Sequence, residues 1–95
     1  MTASFAVHTS PRYDRFAKAL QRGHREFVTV QRSAVQILAK DPYNRSRQRH
    51  IKKLEGVAAG EGQYRLSLGR WRFRYDILGQ MVLLGYCGLR REDTY

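Results

Sequence analysis

The feature that most constrains this fold is a run of strictly alternating residues in the last third of the chain. Between positions 71 and 77, apolar side chains occupy the odd positions, whereas charged residues such as Arg72 and Arg74 occupy the even ones. Successive side chains of a β-strand point to opposite faces, so this spacing predicts a strand with one apolar and one charged face. Residues 63–68 alternate in the same way. The two runs therefore predict a β-hairpin with Gly69-Arg70 as its turn.

The rest of the chain divides into two helices, further strands and connecting loops. Ser10-Pro11 is typical of a helix start, because a serine can cap free backbone N–H groups and proline is tolerated at the first helical position. Gly23 interrupts this helix, and a broad apolar stripe predicts a second helix over 25–40. Asp41-Pro42 ends it. The second hairpin strand extends to residue 78, the other predicted strands are 4–9 and 81–87, and the predicted connections are 43–53, 58–62 and 88–95.

The predicted elements follow the order β-α-α-β-β-β, which indicates one α+β domain spanning residues 1–95. Helices come first and hairpin-connected strands follow, so we expect an antiparallel sheet with both helices on one face. The helices would cover the apolar face and leave the other to solvent. Arg65, Arg72 and Arg74 would then gather on the solvent face, where clustered like charges are unfavourable unless an anion binds among them.

A large excess of positive charge narrows the possible functions. Eighteen Lys and Arg residues against eight Asp and Glu give a net charge of +10, which favours a polyanion or an acidic protein as partner. No apolar run approaches the roughly 20 residues of a membrane-spanning helix, and the N-terminal residues lack the pattern of a signal peptide. The single cysteine, Cys87, excludes an internal disulfide. We therefore expect a cytoplasmic protein with no membrane partner.

The hairpin arginines are suited to phosphate, because a guanidinium group matches phosphate oxygens with paired N–H donors and stays charged. Tyr64 and Tyr86 would offer rings for stacking single-stranded bases if either reached the solvent face. Basic runs are also typical of solvated loops, so a purely structural interpretation stays open. The residues predicted to bind RNA are Arg45, Arg47, Arg49, Lys52 and Arg74.

The spacing of histidine and cysteine argues against a metal or cofactor site. His8, His24 and His50 are scattered, and no Cys or His pair has ligand spacing. No glycine-rich phosphate loop precedes a helix, and no nucleophile triad has a local signature. We therefore expect no cofactor and no metal, and we expect Cys87 to lie in the core.

Five segments, in the same order, resemble the RelE/ParE toxins of bacterial toxin–antitoxin pairs. The most specific is the hairpin at 64–75, YRLSLGRWRFRY, which is similar to the family pattern Y-R-h-x-h-G-x-[YW]-R-h-x-Y, where h is apolar. The resemblance covers nearly the whole chain. The other segments are the first strand with Ser10-Pro11, AKDP at 39–42, KKLEG at 52–56 and the tail LRREDTY at 89–95.

The resemblance implies a metal-independent endoribonuclease that cuts messenger RNA, in many members within the ribosomal A site. In that family the RNA 2′-hydroxyl attacks the neighbouring phosphate, basic side chains hold the phosphate, and a tyrosine, histidine or lysine moves protons. The partner is a cognate acidic antitoxin that wraps and blocks the toxin. The catalytic positions that the resemblance implies are Arg65, Arg72, Arg90, Arg91, Tyr95 and Lys53.

The sequence departs from the family at three positions. Ser67 stands where some members have a lysine, Arg90 replaces the tail histidine, and Arg70 stands where many members have an acidic residue. Arginine cannot act as a base, so the proton-transfer groups stay open. Two other functions also stay open. One is a ParE-like inhibitor of DNA gyrase, and the other is a non-catalytic basic module that binds nucleic acid or protein.

Overall fold

The computed structural model describes residues 4–90 and confirms an α+β fold in which helices precede a meander of strands. Within these residues, neither helix is long and apolar enough to cross a bilayer. The chain begins with β1 (Ala6–Thr9), α1 (Pro11–Gly23) and α2 (Phe27–Lys40). It continues with β2 (Ile51–Lys53), β3 (Tyr64–Leu68), β4 (Trp71–Leu78) and β5 (Met81–Leu89).

Local sequence determines where α1 begins and ends, as predicted. The Oγ atom of Ser10 accepts a hydrogen bond from the N–H of Tyr13 at 3.0 Å, and Pro11 occupies the first helical position. Gly23 is the last helical residue, and the backbone is extended at His24. The capping serine and the proline satisfy or remove N–H groups that a helix start leaves unpaired.

The sheet differs from the prediction in two respects. Its strand order is β1-β5-β4-β3-β2, and β1 pairs with β5 in parallel, so the sheet is mixed rather than antiparallel. The segment 43–53 is not wholly a connection, because Ile51–Lys53 forms β2, antiparallel to β3. Three residues with one apolar side chain are too few for a periodic signal. Their pairing depends on the free hydrogen-bonding edge that β3 offers.

The core lies between the sheet and the helices. The odd residues of β4, including Trp71, Phe73 and Tyr75, are buried against it, as the alternation predicted. The ring of Phe27 in α2 lies 5.2 Å from that of Trp71 and 6.3 Å from that of Phe73, centroid to centroid. The hydroxyl of Tyr75 donates to the carbonyl of Pro42 at 2.7 Å, which joins the loop after α2 to the core.

The face opposite the helices is partly covered, which corrects the expectation of an open face. Residues 58–63, here called the strap, fold back onto this face and bury Asp76, which is only 4% exposed. The Asp76 carboxylate accepts N–H groups of Gly60, Gly62 and Gln63 at 3.2, 2.9 and 3.1 Å. Strand alternation predicts on which side of the sheet the Asp76 side chain lies, but it does not predict that a loop will cover that side. The burial of Asp76 could therefore not be predicted from the sequence.

Cys87 lies in the core, as predicted, with 1% of the residue exposed. Burial raises the pKa of its thiol from 9.0 to about 12, although a hydrogen bond with Tyr13 acts in the opposite direction. The folded state therefore holds the thiol proton more tightly than the unfolded state does. The resulting stability is complete below the unfolded pKa and is lost as the pH rises through the folded one.

We expect the free energy of unfolding to fall as the pH rises from 9 to 12, and to fall less steeply in Cys87→Ala. Burial also raises the pKa of Tyr13 and of Tyr75, so part of the slope remains in the variant. Denaturant titrations across this range measure both slopes. Equal slopes in the two proteins would show that the buried thiol does not contribute.

Candidate nucleic-acid interface

Cationic side chains gather on the sheet face away from the helices. The register places Arg65 directly opposite Arg74, and Lys52 directly opposite Arg65. Arg72 lies opposite Ser67, one pair further along the same face. Directly opposite residues of antiparallel strands have Cβ atoms about 4.5–5.5 Å apart. Three strands thus bring together the arginine face, defined as Lys52, Arg65, Arg72 and Arg74.

Arg65 occupies the middle of the arginine face, between Lys52 and Arg74. Its Nε atom is buried, and within residues 4–90 it has no hydrogen-bond acceptor. Leaving a buried donor unpaired is costly, above all when the donor belongs to a cation. A phosphate oxygen is a strong acceptor for such a donor. Arg65 is therefore the central cation of this face and carries a donor that the described residues leave unsatisfied.

Arg72 lies beside the hairpin turn and is half-buried. Its Nη1 atom donates to the carbonyl oxygens of Gly69 at 2.7 Å and Trp71 at 2.9 Å. These bonds fix the orientation of the guanidinium group relative to the sheet. A cation whose position is fixed in advance stabilises developing negative charge without a cost of reorganisation.

Arg74 is engaged by the strap. Its Nε atom donates to the carbonyl of Gly62 at 3.1 Å, and its Nη2 atom donates to the carbonyls of Glu61 at 3.0 Å and Gly62 at 2.9 Å. Gly62 has φ +81°, and a Cβ there would lie 3.1 Å from the Cβ of Arg74, so glycine permits this approach. Asp76 binds the N–H groups of the same strap. The contribution of Arg74 to RNA binding stays a prediction.

Of the two tyrosines proposed for stacking, the structure brings Tyr86 to the arginine face and Tyr64 to the other side. The ring of Tyr64 stacks on that of Tyr75 with 5.5 Å between centroids. Tyr86 lies directly opposite Arg74 in the β4–β5 register. The sequence therefore offered two aromatic candidates, and the pairing of β4 with β5 distinguishes them.

Tyr86 is held in place from two sides. The ring of Phe16 in α1 meets it edge to face, with 4.9 Å between centroids. The Tyr86 side chain also lies over Gly88, because a Cβ at Gly88 would overlap the tyrosine Oη atom. Gly88 is directly opposite Arg72. The phenol therefore lies along the sheet toward Arg72, an orientation that sequence reasoning did not predict.

His50 is a further residue that sequence reasoning missed. Its carbonyl accepts the N–H of Ser67 at 2.9 Å, which extends the β2–β3 ladder by one residue. Ile51 pairs with buried Leu66, so alternation places His50 on the same face as Lys52. The only sequence signal for this position was the alternation of polar, apolar and polar residues at 50–52, which lies within a basic run.

Within residues 4–90, no three His, Cys, Asp or Glu side chains form a group that could hold a metal ion.

The predicted RNA-binding arginines of the loop after α2 lie apart from the arginine face. Arg45 lies over the ring of Tyr43, 5.1 Å from its centroid, and both Arg45 and Arg49 line a pocket next to Asp41. Burial opposes ionisation of Asp41, but hydrogen bonds from Ser46 and from backbone N–H groups, with the charge of Arg49, lower its pKa overall. Arg47 is exposed. Their contribution to RNA binding stays a prediction.

Two of the remaining predicted catalytic residues lie at the edges of the site. Lys53 points to the opposite face from Lys52, with its Nζ atom 5.8 Å from the centroid of the Tyr64 ring. The backbone N–H of Arg90 donates to the carbonyl of Arg70 at 2.7 Å, so Arg90 lies beside the hairpin turn. Arg91 and Tyr95 lie outside the described residues.

Solved structures with the same fold come from toxin–antitoxin systems. A chain of the RelBE2 toxin–antitoxin complex from Mycobacterium tuberculosis matches with a TM-score of 0.70 and 19% identity, over 92% of this chain and 99% of that one. The E. coli DinJ-YafQ complex gives 0.68 and 14%, over 90% and 91%. The archaeal RelE-RelB complex from Pyrococcus horikoshii OT3 gives 0.61 and 21%, over 97% and 99%.

No family model and no curated protein matches the sequence. The likeness is therefore one of three-dimensional structure, carried by helices and strands that align over nearly the full length of both chains. The order of two helices before a sheet agrees with the resemblance seen in the sequence. The chain thus has the fold of the RelE-like toxins.

Proposed function

We propose that this protein is the toxin of a toxin–antitoxin pair and that it cleaves messenger RNA without a metal ion. The observation that carries the proposal is the strand register. It joins Lys52, Arg65 and Arg72 on one face of a fold shared with chains of toxin–antitoxin complexes. The position of Arg65 between Lys52 and Arg74 supports an anionic ligand at the centre of that face.

The proposed reaction is an internal phosphoryl transfer. The RNA 2′-oxygen attacks the adjacent phosphorus, the O2′–P bond forms, and the bond from phosphorus to the 5′-oxygen breaks. The products are a 2′,3′-cyclic phosphate and a 5′-hydroxyl. Negative charge accumulates on the pentavalent phosphorus, and preorganised cations stabilise it more than they stabilise the ground state. Arg65 and Arg72 supply these cations.

Proton transfer requires groups other than arginine, which stays protonated in proteins. One group must take the 2′-hydroxyl proton, and another must give a proton to the leaving 5′-oxygen. The candidates for these transfers are Lys52 on the arginine face and, beside it, His50 and the hydroxyl of Tyr86. Tyr95 remains the candidate that the resemblance adds.

The charge of the chain supports the proposed partners. A net charge of +10 on 95 residues favours docking on the phosphates of mRNA and ribosomal RNA, with strong salt dependence. The same charge favours an acidic antitoxin, which would cover the arginine face and compete with RNA. We propose that the antitoxin is encoded by a short reading frame adjacent to this one.

Purified protein is expected to cut RNA in the presence of EDTA and to leave fragments that end in a 2′,3′-cyclic phosphate. An oligonucleotide with 2′-deoxyribose at every position lacks the attacking group and should remain intact. Free RNA and RNA on translating ribosomes are compared in parallel, because the ribosome can be required to position the substrate. Fragments are separated by size, and their ends are identified by mass spectrometry.

Induction of the protein alone in cells provides the second readout. We expect rapid arrest of translation with discrete cuts in messenger RNA, and rescue by co-expression of the adjacent acidic reading frame. Filamentation and a DNA-damage response without cuts would instead indicate a gyrase inhibitor. Intact RNA in both assays, on and off the ribosome, would sink the ribonuclease proposal.

A further inference from the structure

A pocket of about 660 Å³ lies next to the arginine face, between the strap, the start of α1 and the middle of β5. Glu61 and Gly62 of the strap form one wall, and Arg12 of α1 forms another. Gly85 and Tyr86 contribute the β5 side. Because the strap bounds the pocket, its shape depends on the contacts that Arg74 and Asp76 make with the strap.

The charges that line this pocket balance, unlike those of the arginine face. Arg12 and Arg74 carry positive charge, and Glu61 and Asp76 carry negative charge. The Asp76 carboxylate and the Arg74 guanidinium also bind backbone groups of the strap. A phosphate therefore gains more on the arginine face, whereas an uncharged polar ring is better suited to the pocket.

The pocket has a fixed aromatic wall. Tyr86 is half-buried, Phe16 supports its ring edge to face at 4.9 Å, and Gly88 lets the side chain lie flat along the strand. The guanidinium of Arg12 lies 5.5 Å from the centroid of the Phe16 ring, so it packs against the ring that supports Tyr86. An aromatic ring held in this way is a platform on which a nucleobase can stack.

Gly85 keeps the pocket open. The register shifts between Arg74, which pairs with Tyr86, and Tyr75, which pairs with Leu84, so Gly85 is the extra residue of a β-bulge. Bulges near active sites change the direction of neighbouring side chains. A Cβ added at Gly85 would meet no atom within 4 Å, so a side chain there would enter open space at the pocket without a clash.

We propose that this pocket binds one nucleobase of the RNA, attached next to the phosphate on the arginine face, and so determines base preference. The inference rests on the proposed function, because it assigns RNA as the ligand. Tyr86 lies directly opposite Arg74 and one pair away from Arg72 along the strand. A nucleotide with its phosphate at Arg72 is therefore within reach of the Tyr86 ring.

The test uses binding rather than cleavage. The probes are 2′-O-methyl trinucleotides, which lack a free 2′-hydroxyl, and matched trinucleotides with one abasic position. Wild-type protein is expected to bind the complete probe about tenfold or more tightly than one of the abasic probes, the value of one stacked base. Gly85→Leu should lose this discrimination, because its side chain occupies the pocket.

Two further variants make the result specific. Gly23→Leu is the matched control, because an added Cβ at Gly23 also meets no atom within 4 Å, but the residue ends α1 away from the pocket. It should keep the wild-type discrimination. Tyr86→Ala removes the aromatic wall of the pocket instead of filling the pocket, as Gly85→Leu does, and it should also lose the discrimination. Tyr86→Phe keeps the aromatic ring and should retain the discrimination.

The outcomes separate this inference from the proposed function. If wild-type protein cleaves RNA but binds complete and abasic probes equally, the pocket does not hold a base and the ribonuclease proposal stands. Retained discrimination in both Gly85→Leu and Tyr86→Ala would likewise overturn the inference. If discrimination is seen without any cleavage, the pocket is supported and the catalytic proposal fails.

Discussion

Arg72→Ala is expected to lower the rate of RNA cleavage by about 10²- to 10³-fold, as expected for loss of one preorganised donor to a developing oxyanion. The guanidinium group is fixed by hydrogen bonds to the carbonyls of Gly69 and Trp71, so its charge is in place before the phosphate arrives. Arg72→Lys keeps the charge but loses the paired N–H donors of the planar guanidinium group, so its activity should lie between that of the wild type and that of Arg72→Ala. Single-turnover cleavage of a defined RNA measures these rates.

Arg15→Ala provides the matched control, because Arg15 is exposed on α1 and its loss removes the same charge from the whole molecule. It should cleave at close to the wild-type rate. Arg72 also stabilises the hairpin turn, so the free energy of unfolding is measured for each variant. A folded Arg72→Ala protein with wild-type activity would contradict the assignment of Arg72 as a phosphate ligand.

Asp76→Ala is expected to lower the free energy of unfolding by about 3 kcal/mol, the largest stability effect that we expect of a polar residue. The carboxylate accepts three backbone N–H groups of the strap, those of Gly60, Gly62 and Gln63. Alanine would leave them without their acceptor beneath the strap. Denaturant unfolding of the variant and the wild type gives the difference directly.

Release of the strap gives a second readout of the same change. Glu61 lies in the strap, so a protease that cuts after glutamate should nick Asp76→Ala there faster than the wild type. Exposed Glu55→Ala is the control for the loss of one acidic side chain and should leave both stability and the cutting at Glu61 unchanged. If Asp76→Ala unfolds like the wild type, water must satisfy these N–H groups as well as the carboxylate does.

Strand alternation in the sequence predicted part of the candidate site. The alternation placed Arg65, Arg72 and Arg74 on one face of the sheet, and the β3–β4 register confirms that they share this face. Alternation could not distinguish the surroundings of these arginines, because those surroundings depend on tertiary contacts. Arg74 binds the strap, whereas Arg65 has a buried donor without an acceptor in the described residues. His50 was missed because β2 is too short to give a period of its own.

By itself, the sequence determined the elements that depend on neighbouring residues. The serine cap of α1, the hairpin turn at Gly69 and the two faces of β4 all follow from local backbone chemistry and a period of two. Tertiary structure alone decided the parallel pairing of β1 with β5, the bulge at Gly85 and the burial of Asp76 under the strap. Each of these depends on how one strand or loop meets another, and such contacts depend on shape and unpaired backbone groups, which leave no periodic trace in the sequence.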